Sequence, residues 1–354
     1  MKVLYRLLFI LPVTGMLCTI VSASELKQDR QDIFEQPPEM LSVSHAPEGY
    51  SSEEDDETAL FRMGTASDED LQFRIALMFG QGVTVKQSFP KCLYLLEKAA
   101  EKRHIGAAFL LGTIYLKGGT LLEDNHGEPQ YGGLNVPDDF PFDSLRAFSF
   151  YLISGNGGDS LSRELCSVIK KQVLSSKEYK TDSKALFNAL EKESSGGNAL
   201  AKRLLAEMYN EGELVERNYD MAFALYKESA ESGDAWGQYN IAKKYIEGLG
   251  VKQDFSEGFR WMKKAAEQNV SQAQFDLSGL YYKGDGIAAD KQMGYVWLLV
   301  ARKNGSKEAE KLLGKYGSGG LTAEEESTAR EMADKILVLI NTGSKQPEQM
   351  KIFS

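Results

Sequence analysis

Three histidines, three cysteines and a few adjacent acidic pairs are the side chains from which catalysis or metal binding in this sequence has to be built. His45, His104 and His126 stand far apart, and none has a second ligand at the spacing a metal site needs, so no metal is expected. Cys92 and Cys166 are too few for a disulfide framework, and both read as small buried packing residues, with a bond between them as the alternative. The glycine-rich pieces Gly155-Asn156-Gly157-Gly158, Ser194-Ser195-Gly196-Gly197 and Gly317-Ser318-Gly319-Gly320 lack the lysine of a phosphate-binding loop and read as turns. Glu324-Glu325 reads as a helix-capping, solvent-facing pair rather than a general acid and base. No nucleophile with a base, metal set or phosphate cradle emerges, so the expectation is a non-catalytic protein without a cofactor.

The elements that carry these residues are organised by charge and by repetition. The 354 residues have a formal charge of −10, which argues against an electrostatic nucleic-acid binder. That acidity is local: residues 24–70 hold 14 acidic and 3 basic side chains, whereas residues 71–354 hold 37 and 36. The run Glu53-Glu54-Asp55-Asp56-Glu57 reads as part of a solvated, disordered spacer, with a docking peptide as the alternative. Ahead of it, Lys2 and Arg6, an apolar run from Leu7 to Ile20 and the small residues to Ala23 have the form of a cleavable secretory signal. That run is short for a membrane span, so a periplasmic or secreted protein starting near Ser24, without stable membrane insertion, is expected.

The period is 36 residues. Ala206, Ala242, Ser278 and Gly314 follow it, as do Tyr209, Tyr245 and Tyr281, then Gly212, Gly248 and Gly284, then Leu225, Trp261 and Trp297. Each unit divides into a first helix, a glycine-marked loop and a second helix behind a capping residue of the series Asp182, Asn218, Asp254, Asp290. Small residues at Ala222, Gly258 and Gly294 let the two helices approach, and the large Tyr and Trp positions fill the space between pairs. The register jumps after Gly118, which makes 119–142 an insertion, either a tolerated surface loop or a second contact element. A degenerate unit lacking the aromatic marks follows at 159–197, and Thr322 with Glu325 begins a helix that covers the end of the stack. The expected division is a signal at 1–23, an acidic disordered segment at 24–66, a solenoid at 67–318, a capping helix at 319–341 and a flexible tail at 342–354.

The text from Asp234 to Ala242, with Tyr245, Gly248-Leu249-Gly250-Val251, Asp254 and Trp261 to Glu267, resembles the Sel-1-like repeat family, a relative of the tetratricopeptide repeats. The resemblance covers about residues 67–318 and implies an all-α fold, an α/α solenoid whose concave groove binds proteins, often in exported bacterial proteins. On that pattern the groove face carries Arg203, Glu207, Trp236, Asn240, Lys243, Glu247, Asp276 and Lys283. Trp236 stands out because Leu200, Gln272 and Glu308 hold its place in the other units. It serves either as a partner anchor or as packing against the Glu231-Ser232-Gly233 turn. The leading reading is a scaffold that binds a periplasmic, envelope or host protein. The alternative is a cell-wall ligand binder or enzyme, for peptidoglycan or a β-lactam, although the paired cysteines of the relatives linked to β-lactams are absent.

Overall fold

The computed structural model describes residues 56–82, 85–117, 134, 136–137, 140–141, 143–175 and 180–342. The signal, the acidic segment through residue 55, His45, His126, most of the insertion and the tail from residue 343 lie outside them. Among the described residues there are fifteen helices and no strand. They are α1 (Asp56–Ala66), α2 (Glu69–Gln81), α3 (Phe89–Glu101), α4 (Ile105–Lys117), α5 (Ser144–Asn156), α6 (Ser160–Ser175) and α7 (Lys180–Ser195), followed by α8 (Ala199–Glu211), α9 (Tyr219–Glu231), α10 (Ala235–Glu247), α11 (Phe255–Glu267), α12 (Ser271–Lys283), α13 (Lys291–Lys303), α14 (Lys307–Tyr316) and α15 (Ala323–Thr342). Even-numbered helices from α2 are first helices and the odd ones that follow are second helices. From α8 to α14 the first helices start 36 residues apart, as do α9, α11 and α13, so the sequence period is the structural step.

Polar caps set where each helix begins. Asn218, Asp254 and Asp290 accept from Met221 N, from Ser256 N and Glu257 N, and from Met293 N, at 2.9–3.0 Å. Asp182 departs from that series: α7 starts at Lys180, which leaves Asp182 inside its first turn. The first helices end at glycines in the left-handed conformation, Gly82, Gly212, Gly248 and Gly284. At the turn from second to first helix, Gln238 Nε2 donates to Ala230 O and Gln274 Nε2 to Ala266 O, an amide clamp that also repeats at 36 residues. Thr322 and Glu325 form the expected reciprocal cap on α15, with Thr322 N donating to Glu325 Oε2 at 2.8 Å and Glu325 N to Thr322 Oγ1 at 3.3 Å.

The core divides into two large apolar clusters that meet at α8. One runs from Phe73 and Phe79 to Leu204 and Met208, the other from Ala206 through Trp261 and Trp297 to Ile336. Trp261 and Trp297 are buried as their repeat position implies, and so are the free thiols of Cys92 and Cys166. Burial raises both thiols, Cys92 to about 12, which keeps them protonated and unreactive at neutral pH.

Two boundaries differ from the sequence reading. The last eleven residues of the stretch taken as disordered form α1, because Leu60, Phe61 and Met63 find apolar partners: Phe61 packs edge-on to Phe79 at 5.9 Å. The end of the insertion is structural as well. Leu134 is 4% exposed and enters the first cluster over Gly80, while Phe140 packs on Phe89 and Tyr115, both at 5.3 Å. A Cβ on Gly80 would fall 1.9 Å from Leu134 Cδ2 and 2.9 Å from Cys92 Sγ, so a larger residue there would displace the Leu134 side chain from its seat.

The loop glycine at position 250 supplies a test of the repeat geometry. Gly250 has φ +77° and a Cβ there would sit 2.1 Å from Tyr219 O, whereas Leu214, its counterpart one repeat earlier, takes φ 63° with its side chain half exposed. Gly250→Ala is expected to cost about 2–3 kcal/mol through a backbone clash, and Leu214→Gly to be neutral or to stabilise by up to about 1 kcal/mol. Thermal denaturation of the two variants side by side checks the opposite signs.

Candidate functional site

The first helices present matching stripes of side chains. On α10 the stripe is Trp236, Asn240, Lys243 and Glu247; on α12 it is Gln272, Asp276, Gly279 and Lys283, at the same i, i+4, i+7, i+11 positions. The stripes touch, because Tyr239 Oη, beside Trp236, donates to Asp276 Oδ2 at 3.0 Å. Trp236 is 45% exposed and meets the Tyr239 ring edge-to-face at 5.6 Å. Lys243 and Glu247 form an exposed pair at 3.8 Å, a geometry that contributes little to stability. Gly279 interrupts α12 where glycine costs about 1 kcal/mol relative to alanine, yet no atom lies within 4 Å of where its Cβ would be. The gap is therefore not required by packing.

Toward α8 the seam becomes buried and charged. Arg203, expected on the groove face, is only 6% exposed, which corrects that expectation. Its Nε donates to Asp234 Oδ2 at 3.0 Å and its Nη1 to Glu207 Oε1 at 2.7 Å. Asp234 also caps α10 by accepting from Gly237 N at 2.7 Å, so one carboxylate ties two neighbouring pairs together. Glu207 accepts in turn from Lys170 Nζ at 3.0 Å, and Glu213 lies 3.4 Å from the same amine. Burial alone would lower both cations, but Glu207 with Asp234, and Glu207 with Glu213, hold Arg203 and Lys170 above their usual values. Lys244 differs: burial lowers it, and its ammonium donates to Asn210 Oδ1 at 2.5 Å. A cleft of about 400 Å³ lies beside this network, lined by Ser167, Lys170, Lys171, Leu174, Glu211 and Glu213. Burial and the neighbouring Glu213 raise Glu211 above the ordinary carboxylate range.

Of the eight residues expected on the groove face, Trp236, Asn240, Lys243, Glu247, Asp276 and Lys283 lie on the two touching stripes. Glu207 is half-buried within the ion-pair network and Arg203 lies beneath it. Lys170 and Asp234 were not foreseen as partners in the Arg203 network, nor Tyr239 as the donor to Asp276 or Lys244 as the donor to Asn210. The signal for Arg203 was in the repeat itself: positions 203, 239 and 275 hold Arg, Tyr and Phe, a set of large residues at a half-core position rather than a variable surface one.

His104 is occupied structurally. It caps α4, with Nδ1 accepting from Ala107 N at 2.9 Å, Nε2 3.2 Å from Asp70 Oδ1 and the ring 4.4 Å from that of Phe73. Among the described residues no group of three or more His, Cys, Asp or Glu side chains is placed to hold a metal ion. Nor, among them, is any helix long and apolar enough to cross a membrane.

A family model described as Sel1 repeat matches residues 70–104, 199–234, 237–270 and 271–306. Among solved structures, a Sel1 repeat protein from Oxalobacter formigenes is 21% identical, covering 73% of this chain and 68% of its own, with a TM-score of 0.45. A protective antigen of uropathogenic Escherichia coli strains displaying an SLR fold is also 21% identical, covering 82% of this chain and 76% of its own, with a TM-score of 0.33. No curated relative matches the chain.

Two outcomes follow from the buried contacts. Arg203→Met leaves the buried Asp234 carboxylate without its guanidinium, while Glu207 keeps Lys170, and is expected to cost about 3 kcal/mol in chemical denaturation. For His104, burial lowers the folded-state value below the reference 6.5 despite the pull of Asp70. The unfolded chain therefore binds the proton first, so the stability this residue gives is complete above pH 6.5 and declines as the pH falls through the folded-state value. His104→Asn keeps a capping side chain without that titration, and its denaturation midpoint should fall less than that of the parent between pH 7.5 and 5.

Proposed function

We propose, from the premise that this chain is an array of Sel1 repeats, that it is an exported, non-catalytic scaffold binding a protein partner across the first-helix face of α8, α10 and α12. Solenoids of these repeats commonly serve as protein-interaction scaffolds. The observation that carries the assignment to this face is Trp236: a large aromatic side chain, half exposed, at a position where the other units have Leu200, Gln272 and Glu308. Such a residue has little to gain from water and much to gain from a partner, and exposed aromatics of this kind dominate the energetics of protein interfaces. Tyr239 holds the indole edge-on, so little rotamer freedom is lost on binding. The polar rim of Asn240, Lys243 and Asp276 would supply orientation.

Export is supported by the basic, apolar and small-residue sequence from Met1 to Ala23. The partner is accordingly a periplasmic, cell-envelope or host protein.

The test is photo-crosslinking from position 236 of the protein expressed in its native host with its own leader, with position 227 on α9 as the control. One dominant partner from position 236, absent from position 227 and lost with Lys243→Glu, is the expected result, together with a mature N-terminus at Ser24. Scattered adducts equal at both positions would overturn the assignment of the face.

A further inference from the structure

We propose that the Trp236 face of α10 and α12 takes a cationic side chain of the partner, an arginine whose guanidinium lies over the indole and forms an ion pair with Asp276. The proposal rests on the reading of this face as the partner-binding one and adds the chemistry of what is bound there.

The first ground is the state of Asp276. Its two carboxylate oxygens are held by neutral donors only, Tyr239 Oη at 3.0 Å and Gln272 Nε2 at 3.4 Å, and among the described residues no cation lies within ion-pair distance of it. The nearest basic side chain of the facing stripe, Lys243, is turned to Glu247 at 3.8 Å and sits 5.8 Å from the Tyr239 ring. Burial, together with the negative charge of Glu308, works to keep the Asp276 carboxyl above its ordinary range, against the two hydrogen bonds and Lys243. A guanidinium brought beside it relieves that cost, whereas a partner carboxylate would increase it.

The second ground is the balance of charge around the indole. Glu308 adds negative charge at Asp276 and Lys243 offsets it there, while Lys243 and Lys244 both lie beside Glu247, so a positively charged partner is the one that complements the Asp276 carboxylate. The third is shape. Gly279, one turn beyond Asp276, leaves the surface open where the matching position of α10 carries Lys243, and so provides room for a long side chain approaching the carboxylate. Trp236 and Asp276 both contact Tyr239, the first by ring contact and the second by hydrogen bond, so an aromatic face and a carboxylate flank the same tyrosine. Arginine suits both ends, because its planar, weakly hydrated guanidinium stacks on indole and hydrogen-bonds to carboxylate together.

The test uses the full chain labelled with ¹⁵N and reads its three tryptophan indole N–H resonances during titration with N-acetyl-arginine amide or its neutral isostere N-acetyl-citrulline amide. Trp236→Leu, which installs the residue found one repeat earlier, identifies the signal of position 236. The expected result is movement of that resonance alone, with a dissociation constant about tenfold lower for the arginine probe than for citrulline. Asp276→Asn keeps an acceptor for Tyr239 and should bring the two probes to equality. Equal response to both probes in the parent protein, or no response of the Trp236 signal to either, overturns the proposal. If crosslinking from position 236 still captures one partner in that event, the scaffold reading stands and only the partner chemistry is wrong. Loss of position-specific adducts would instead remove the scaffold reading itself.

Discussion

The close approach of the two helices within each pair is the constraint on which the rest of the structure depends. At Gly258 an added Cβ would fall 2.6 Å from Ile246 Cγ1 and 3.3 Å from Ala242 O, and at Gly294 it would meet Tyr282 at 2.7 Å and Ser278 O at 3.1 Å. Small residues on both helices bring the backbones together, and the large ones are then displaced to the outside of the pair. Trp261, Trp297 and Tyr281 occupy that space and fill the interval to the next pair. A single pair leaves this aromatic surface exposed, so stability arises from stacking, and the end of the array needs α15 to lie on α13.

The same stacking places charge where isolated helices would not. Because each first helix lies beside the one 36 residues on, Arg203 meets the Asp234 cap of α10 and Tyr239 meets Asp276 of α12. These contacts differ in consequence. The Arg203 cluster is closed, with its cation and carboxylates mutually satisfied, and it lies where the two apolar clusters meet, so it fixes the register of one half of the array on the other. The Tyr239–Asp276 contact joins a buried tyrosine, itself packed on the exposed Trp236 indole, to a half-buried carboxylate. Burial thus makes the first polar contact structural, whereas the second is only partly buried.

The repeat was legible because it is written in residue size and backbone requirement. Glycines in the left-handed conformation, Asp and Asn caps and alternating small and large positions are local demands, and each recurs every 36 residues. Where local signals thin out, the reading lost accuracy. The acidic text before residue 67 reads as solvated, yet α1 forms from its end because Phe61 finds Phe79 and Tyr94 on helices that the local sequence does not mention. Leu134 and Phe140 lie in a Gly-, Pro- and Asp-rich insertion, and only the seat over Gly80 and the rings of Phe89 and Tyr115 make them part of the core.

The site divides along the same line. The sequence by itself determined the all-α array, its step, its caps and the exceptional character of Trp236, since these follow from comparing the chain with itself. Only the tertiary structure decided that Arg203 is buried, that Lys170 and Asp234 belong to one network with it, and that Tyr239 joins Trp236 to Asp276. Those facts depend on which side chains of neighbouring units face each other and how much water remains between them. Periodicity fixes the spacing of the helices along the array, but the rotation of each about its own axis is set by packing.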